Sequence, residues 1–245
     1  MNIFHTILYL PMFNLLIWLY DVLPGADMGF AIILLTIVIK LILWPFTHAS
    51  LKSQKALQEL QPKLDAIKEK YKDDKEGLAK AMMEVYTKEK VNPLSSCLPL
   101  LIQIPILIAL YQVLRDGLDP QSLSSLYSFV KNPGDINPLF IGLINLARAS
   151  IPLAILAGVL QFFQTKMLVA RRPPPALRKK EGVKDEDMMA AMNKSMLYFM
   201  PIMTVVIGAT LPAGLTLYWV AINAISILQQ FFVFRNKSVV PPIAS

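Results

Sequence analysis

The run Gly29–Phe46, GFAIILLTIVIKLILWPF, constrains this chain more than any other stretch. It is apolar over a length that can cross a bilayer, since a membrane helix needs about 20 such residues at about 1.5 Å of rise each. Inside it sits one cation, Lys40. Counted from Gly29, Lys40 lies roughly 16 Å along the axis, past the middle of the run. A lysine at that depth costs about 2.5–3.5 kcal/mol on insertion scales, so the fold must give it water, lipid phosphate or a protein partner. Thr36, one turn earlier on the same face, extends a polar stripe. The competing reading is that Lys40 snorkels to the nearer headgroups, because Pro45 marks the expected helix end about 7 Å further on.

The rest of the chain shares this character. With 55% hydrophobic residues and a mean hydropathy of +0.49 over 245 residues, it reads as an all-α integral membrane protein. The lone Cys97 excludes an intramolecular disulfide and a cysteine-cluster metal site, and His5 and His48 have no metal-ligand spacing. No cofactor or metal is expected. The net charge of +7 points to lysine-rich loops beside anionic lipid before it points to a direct nucleic-acid function.

Residues 1–24 are apolar but dotted with Asn2, His5, Thr6 and Asn14 and interrupted by Pro11. They lack the basic start and cleavage site of a signal peptide. They read as an extracytoplasmic helix in the interface, with Tyr9, Trp18 and Tyr20 at headgroup depth; an extra span is the alternative. Pro24-Gly25 turns the chain into the Lys40 helix. From His48 to Val91 the composition changes to ten lysines and eight acids. Leu57, Leu60, Leu64, Ile67 and Tyr71 form a narrow apolar seam, Asp73–Gly77 a turn, and Leu78, Met82 and Val85 a returning stripe. This predicts a helical hairpin over 48–91 with a solvated basic face, kinked or restarted at Pro62.

Four further spans follow: Leu94–Leu114, Ile151–Val169, Met196–Leu211 and Leu215–Phe234. Pro99 and Pro105 free carbonyls in the second span that neighbouring helices or water must satisfy. Arg115–Ser150 reads as a polar connector with several turn signals, and Pro212-Ala213-Gly214 as a tight outer turn. The loop 170–194 is too proline-rich and polar to fold alone. The hairpin, this loop with its borders and the tail 236–245 with Arg235 hold twenty Lys and Arg, against three in the connector and none in the N-terminal segment. That asymmetry puts the hairpin, loop and tail in the cytoplasm and the N-terminus outside.

Single polar groups recur along the spans: Thr36 and Lys40, Gln103, Gln161 and Gln164, Asn223. No carboxylate, His or Cys lies among them to act as base or nucleophile, so no catalytic dyad is expected. Each Gln or Asn alone is ordinary interhelical glue, worth about 0.6 kcal/mol on average. Together with a lysine they suggest a wet cavity inside the bundle, open to polar protein segments from the cytoplasm.

Five motifs carry a resemblance: GFAIILLTIVIKLILWP, LQPKLDAIKEKY, EKVNPLSSCLPLLIQIPILIALY, the FMP of the fourth span, and LPAGLTLYWVAINAISILQQ. In order and over residues 4 to 235, the chain resembles the YidC/Oxa family of membrane-protein insertases. The resemblance implies five transmembrane helices (the core, 25–235), a cytoplasmic hairpin, and a hydrophilic groove open to cytoplasm and lipid but closed outside. It implies that Lys40 takes the place of the groove arginine and Thr36 that of the threonine one turn before it. Tyr218 and Trp219 match the aromatic pair of the last span, and Gln103 and Gln164 resemble groove-side polar residues. Two departures are the Lys itself, a compact ammonium where a guanidinium would offer five fixed donors, and Ser95-Ser96 where relatives carry glycines. The chain lacks the large extracytoplasmic domain and lipid-attachment cysteine of some members and looks like a minimal bacterial one. The implied activity is insertion and chaperoning of membrane proteins in the bacterial inner membrane. The implied partners are nascent membrane proteins, lipid, weakly the ribosome through the cytoplasmic loops, and the Sec translocon as a candidate neighbour. Two other classes stay open at this point: a small-molecule or ion transporter using Lys40, and a membrane scaffold docking a soluble partner. Neither internal repeats nor mid-membrane carboxylates favour the transporter.

Overall fold

The computed structural model describes residues 3–71, 73–92, 98–116, 120–169 and 197–235. The Ser95-Ser96 pair, Cys97, the loop 170–194 and the tail 236–245 lie outside the described residues.

Most of the described residues are helical, and the only described strands form one short hairpin. A π-helical turn, His5–Tyr9, leads into α1, Leu10–Val22. Asp27 then caps α2, Met28–Ile42, its Oδ1 accepting the Gly29 and Phe30 N–H groups at 2.8 and 3.3 Å. Such a cap satisfies orphan donors of the first turn and fixes where the helix starts.

The helix expected over Gly29–Phe46 does not run to Phe46. It ends at Ile42, and after Leu43 the chain bends by 68° into α3, Trp44–Lys70. Pro45 opens this new helix instead of closing the old one, because its missing N–H is no loss in a first turn. α3 also continues through Pro62, which neither ends nor restarts it. A short link leads to α4, Lys75–Lys88, capped by Asp74. The two helices enclose a small core of Ala56, Leu60, Leu64 and Val91, flanked by Leu57, Met82, Val85 and Tyr86. Lys90, at a φ of 53°, ends α4, and the Val91 N–H returns to the Tyr86 carbonyl. Of the expected seam and returning stripe, Leu57, Leu60, Leu64, Met82 and Val85 line that core, and Ile67, Tyr71 and Leu78 are not among its described residues.

The remaining helices among the described residues are α5, Leu98–Asp116; α6, Ile151–Val169; α7, Leu197–Gly208; and α8, Ala213–Arg235. Ala213 and Gly214 begin α8 and are not a free turn: their N–H groups donate to the Arg148 and Leu146 carbonyls at 2.8 and 3.0 Å. α6 and α7 approach closely because Gly158 leaves room. A Cβ there would overlap Val205 and lie 3.0 Å from the Pro201 carbonyl. By length and composition α6 and α8 can each cross a membrane, and α2 with α3 makes a third candidate only as one bent pair.

The connector folds, which its turn signals did not reveal. A 3-10 turn, Pro120–Ser125, and a hairpin of β1, Leu139–Phe140, with antiparallel β2, Ile144–Asn145, pack on α1 and α2. Polar side chains of α1 and of the α2 cap hold it. Asn14 accepts the Tyr127 N–H and donates to the Ser125 carbonyl, the Tyr20 hydroxyl accepts the Asn137 N–H, and Asp27 Oδ2 accepts the Ile141 N–H. The starts of α2 and α8 therefore share one end of the bundle with this connector. The opposite end carries α3: Gln58 donates to the Leu168 carbonyl at the end of α6, and Leu51 packs on Val233 and Phe234 of α8. Between these ends, large apolar side chains point outward, among them Ile37 and Leu41 of α2, Ile108 of α5, Ile155 and Phe163 of α6, and Leu228 of α8. Such a belt suits lipid and would be a liability in water.

Candidate functional site

Helix α8 is the wall against which the polar groups of the bundle collect. Lys40, near the last turn of α2, is 8% exposed. Its Nζ donates to Ser226 Oγ on α8 at 2.8 Å, and that hydroxyl donates in turn to the Ile222 carbonyl at 2.6 Å. Ser226 stands nine residues before Arg235, so the ammonium is held about 14 Å short of the end of α8. The side chain thus crosses to a neighbouring helix, where snorkelling would carry it outward. Among the described residues Lys40 has no carboxylate partner, and a neutral hydroxyl compensates a buried charge only in part.

Thr36 is buried, and its hydroxyl donates to the Ile32 carbonyl of its own helix at 2.7 Å. It lies on the Lys40 face without sharing the lysine's hydrogen bond. Gln103 of α5 donates to the Tyr218 hydroxyl, which is fully buried in α8. Tyr218 and Ser226 are eight residues apart, about 12 Å along the axis. Three of the expected residues thus fall in two stations, the Gln103–Tyr218 pair of α5 and α8 nearer the connector and the pair of Lys40 with Ser226 deeper in. Trp219 packs half-buried against the main core. Gln164 is half-buried, with no hydrogen bond to another described residue. Neither is joined to the two stations by a polar contact among the described residues. Gln161 accepts from Thr204 of α7, and Asn223 donates to the Ala157 carbonyl of α6 at 3.3 Å, so both work as glue between helices.

Sequence reasoning missed Ser226, Gln229 and Gln230. The two glutamines are 2% and 1% exposed, and Gln229 donates to Thr47 Oγ1 at the start of α3, 2.9 Å away. With Asn223 they recur at helical spacing in AINAISILQQ, a polar stripe in an otherwise apolar helix. That periodicity was the available signal. The site can present a donor-rich cation and several amide and hydroxyl groups inside an apolar belt; it offers no nucleophile–base pair.

Comparison with known proteins gives a consistent result. The family model described as 60Kd inner membrane protein matches residues 18–239. A Fusobacterium nucleatum protein named membrane protein insertase YidC is 38% identical over 211 residues, covering 86% of this chain and 88% of its own length. Proteins of the same name from Pelobacter propionicus and Nitrosococcus oceani are 36% and 34% identical, over 87% and 94% of this chain. The chain spans only 36% and 37% of those two longer relatives. A solved structure described as an active YidC insertase with its first transmembrane domain resolved matches with a TM-score of 0.57 and 25% identity, covering 93% of this chain and 46% of that one.

Proposed function

Because the chain belongs to the 60Kd inner membrane protein family, that of the YidC insertases, we propose that it is a membrane-protein insertase and chaperone of a bacterial inner membrane. It is not an enzyme in this reading. It takes nascent membrane proteins from the cytoplasm, helps short polar segments across, and releases apolar segments into lipid. The observation that carries the proposal is Lys40: a cation held on a single neutral hydroxyl, deep between α2 and α8. In low dielectric such a charge attracts acidic and polar groups far more strongly than in water.

In this reading α2, α5, α6, α7 and α8 are five spans, α3 and α4 are the cytoplasmic hairpin, and the connector closes the outer end. The ends of α1 support an interfacial placement. Tyr9 donates to Asp116 at the end of α5, and Tyr20 accepts from Asn137 of the connector, so both contacts lie on the connector side. Lys40, Thr36, Gln103 and Tyr218 line the groove, with Trp219 and Gln164 at its border. The Lys and Arg asymmetry of the loops supports the N-terminus outside and the C-terminus in the cytoplasm. Ribosome contact, weak and salt-labile, falls to the cytoplasmic loops.

Cross-linking tests the groove. In a Cys97→Ser background, Thr36→Cys and Ile155→Cys place a thiol beside Lys40 or on the exposed face of α6. Ribosome-bound chains of a single-span client should cross-link to the thiol at 36 and not to that at 155. Equal labelling at both positions would refute a groove at Lys40.

A further inference from the structure

The hairpin of the connector carries unusual residues at its tip. The strand register leaves three residues, Ile141–Leu143, in the loop, and a turn with positive φ at both central positions normally takes Gly, Asn or Asp there. Here the positions are Ile141, at a φ of 49°, and Gly142, at 69°, closed by the Leu143 N–H on the Phe140 carbonyl at 3.0 Å. A β-branched residue in the left-handed region is strained. The strain obtains no burial within the protein, because Ile141 is 56% exposed and Leu143 83%.

Position identifies what covers these side chains. The Ile141 N–H donates to Asp27 Oδ2 at 2.7 Å, and the other oxygen of that carboxylate caps the first turn of α2. The tip is therefore fixed level with the start of α2. Phe30, exposed on that first turn, meets Phe140 edge-on, with ring centroids 5.4 Å apart, and opens the outward stripe that continues through Ile37 and Leu41. The tip extends this apolar surface sideways. Two aliphatic side chains on a tight turn offer far less than the ~800 Å² per partner of an ordinary protein interface, whereas a lipid boundary sets no such minimum.

We propose that Ile141–Gly142–Leu143 is a membrane anchor, seated at the headgroup–acyl boundary of the outer leaflet, which holds the connector down on the bilayer. The inference rests on the spanning placement of α2. Single cysteines at Leu143, Ile141, Leu41 and Lys131, in the Cys97→Ser chain, carry a fluorophore after reconstitution into phosphatidylcholine–phosphatidylglycerol vesicles. Lipid bearing a shallow nitroxide and aqueous iodide are the two quenchers. The Leu143 and Ile141 labels should be quenched by the nitroxide lipid and be at least threefold less accessible to iodide than the Lys131 label. Iodide access at both tip positions equal to that at Lys131, with Leu41 quenched by lipid, would overturn the anchor alone. Tip labels shielded from both quenchers would mean a protein partner or second copy and overturn it as well. A Leu41 label out of reach of nitroxide lipid would overturn the spanning placement and the anchor together.

Discussion

An ammonium has three N–H donors and no acceptor. Ser226 takes one of those from Lys40, and its hydroxyl hydrogen goes to the Ile222 carbonyl, so its oxygen is well placed to accept. Ser226→Ala removes that acceptor from a buried charge. It should lower stability in detergent micelles by about 1–3 kcal/mol, read from denaturant or thermal unfolding. Thr36→Val, which breaks only a bond to its own helix, should cost less than half as much. Equal losses would show that Ser226 does not solvate the lysine. Lys40 was legible from sequence because a lone charge in an apolar run must be accommodated. Its partner was not, because serines are common in membrane helices and only packing chooses which one a lysine meets.

At the scale of elements, Pro45 announced a break but not its place. The bend falls at Leu43, and the proline serves as the first turn of the next helix. The hairpin pattern likewise left out how α3 is seated. The contacts of Thr47 with Gln229, Leu51 with Val233 and Phe234, and Gln58 with Leu168 tie the first half of α3 to the ends of α8 and α6. Mobility should therefore be confined to the far half of the pair. Amide exchange should protect residues 50–58 nearly as strongly as the end of α8 while 68–78 exchange freely; fast exchange at 50–58 would refute the docking. Helix packing gives a second expectation at this scale. Gly158→Val forces α6 away from Val205 and the Pro201 carbonyl and should destabilise by about 1–3 kcal/mol, measured as a lowered unfolding midpoint. An unchanged midpoint would mean that α6 and α7 separate at little cost. The connector was illegible for a different reason. Its strands are two residues long, too short for any periodicity. Of the groups that hold it, Asn14 reads in sequence as a scattered polar residue of another segment, Tyr20 as an aromatic at headgroup depth, and Asp27 carries no signal that points to the connector.

Across the whole molecule, helix lengths differ. α2 has 15 residues and α8 has 23, about 22 and 34 Å of rise, against a hydrocarbon core of about 30 Å. A bilayer meeting so short a helix must thin around it, since tilt would only shorten its reach further. Thinning there would shorten the path for a polar segment drawn toward Lys40. The most direct test of that attraction swaps charge on both sides. Purified chains with Lys40→Arg or Lys40→Glu, matched to the parent in unfolding midpoint, are reconstituted into vesicles. They are supplied with a single-span client whose translocated tail is either acidic or neutral. Two unit charges 4 Å apart interact by about 4 kcal/mol at an effective dielectric of 20, so reversal should have a large effect. Lys40→Arg should keep protease-protected insertion of both clients, and Lys40→Glu should lose the acidic-tailed one at least tenfold while retaining the neutral one. Insertion of the acidic tail by the Lys40→Glu chain at the parent's rate would contradict an electrostatic role for Lys40.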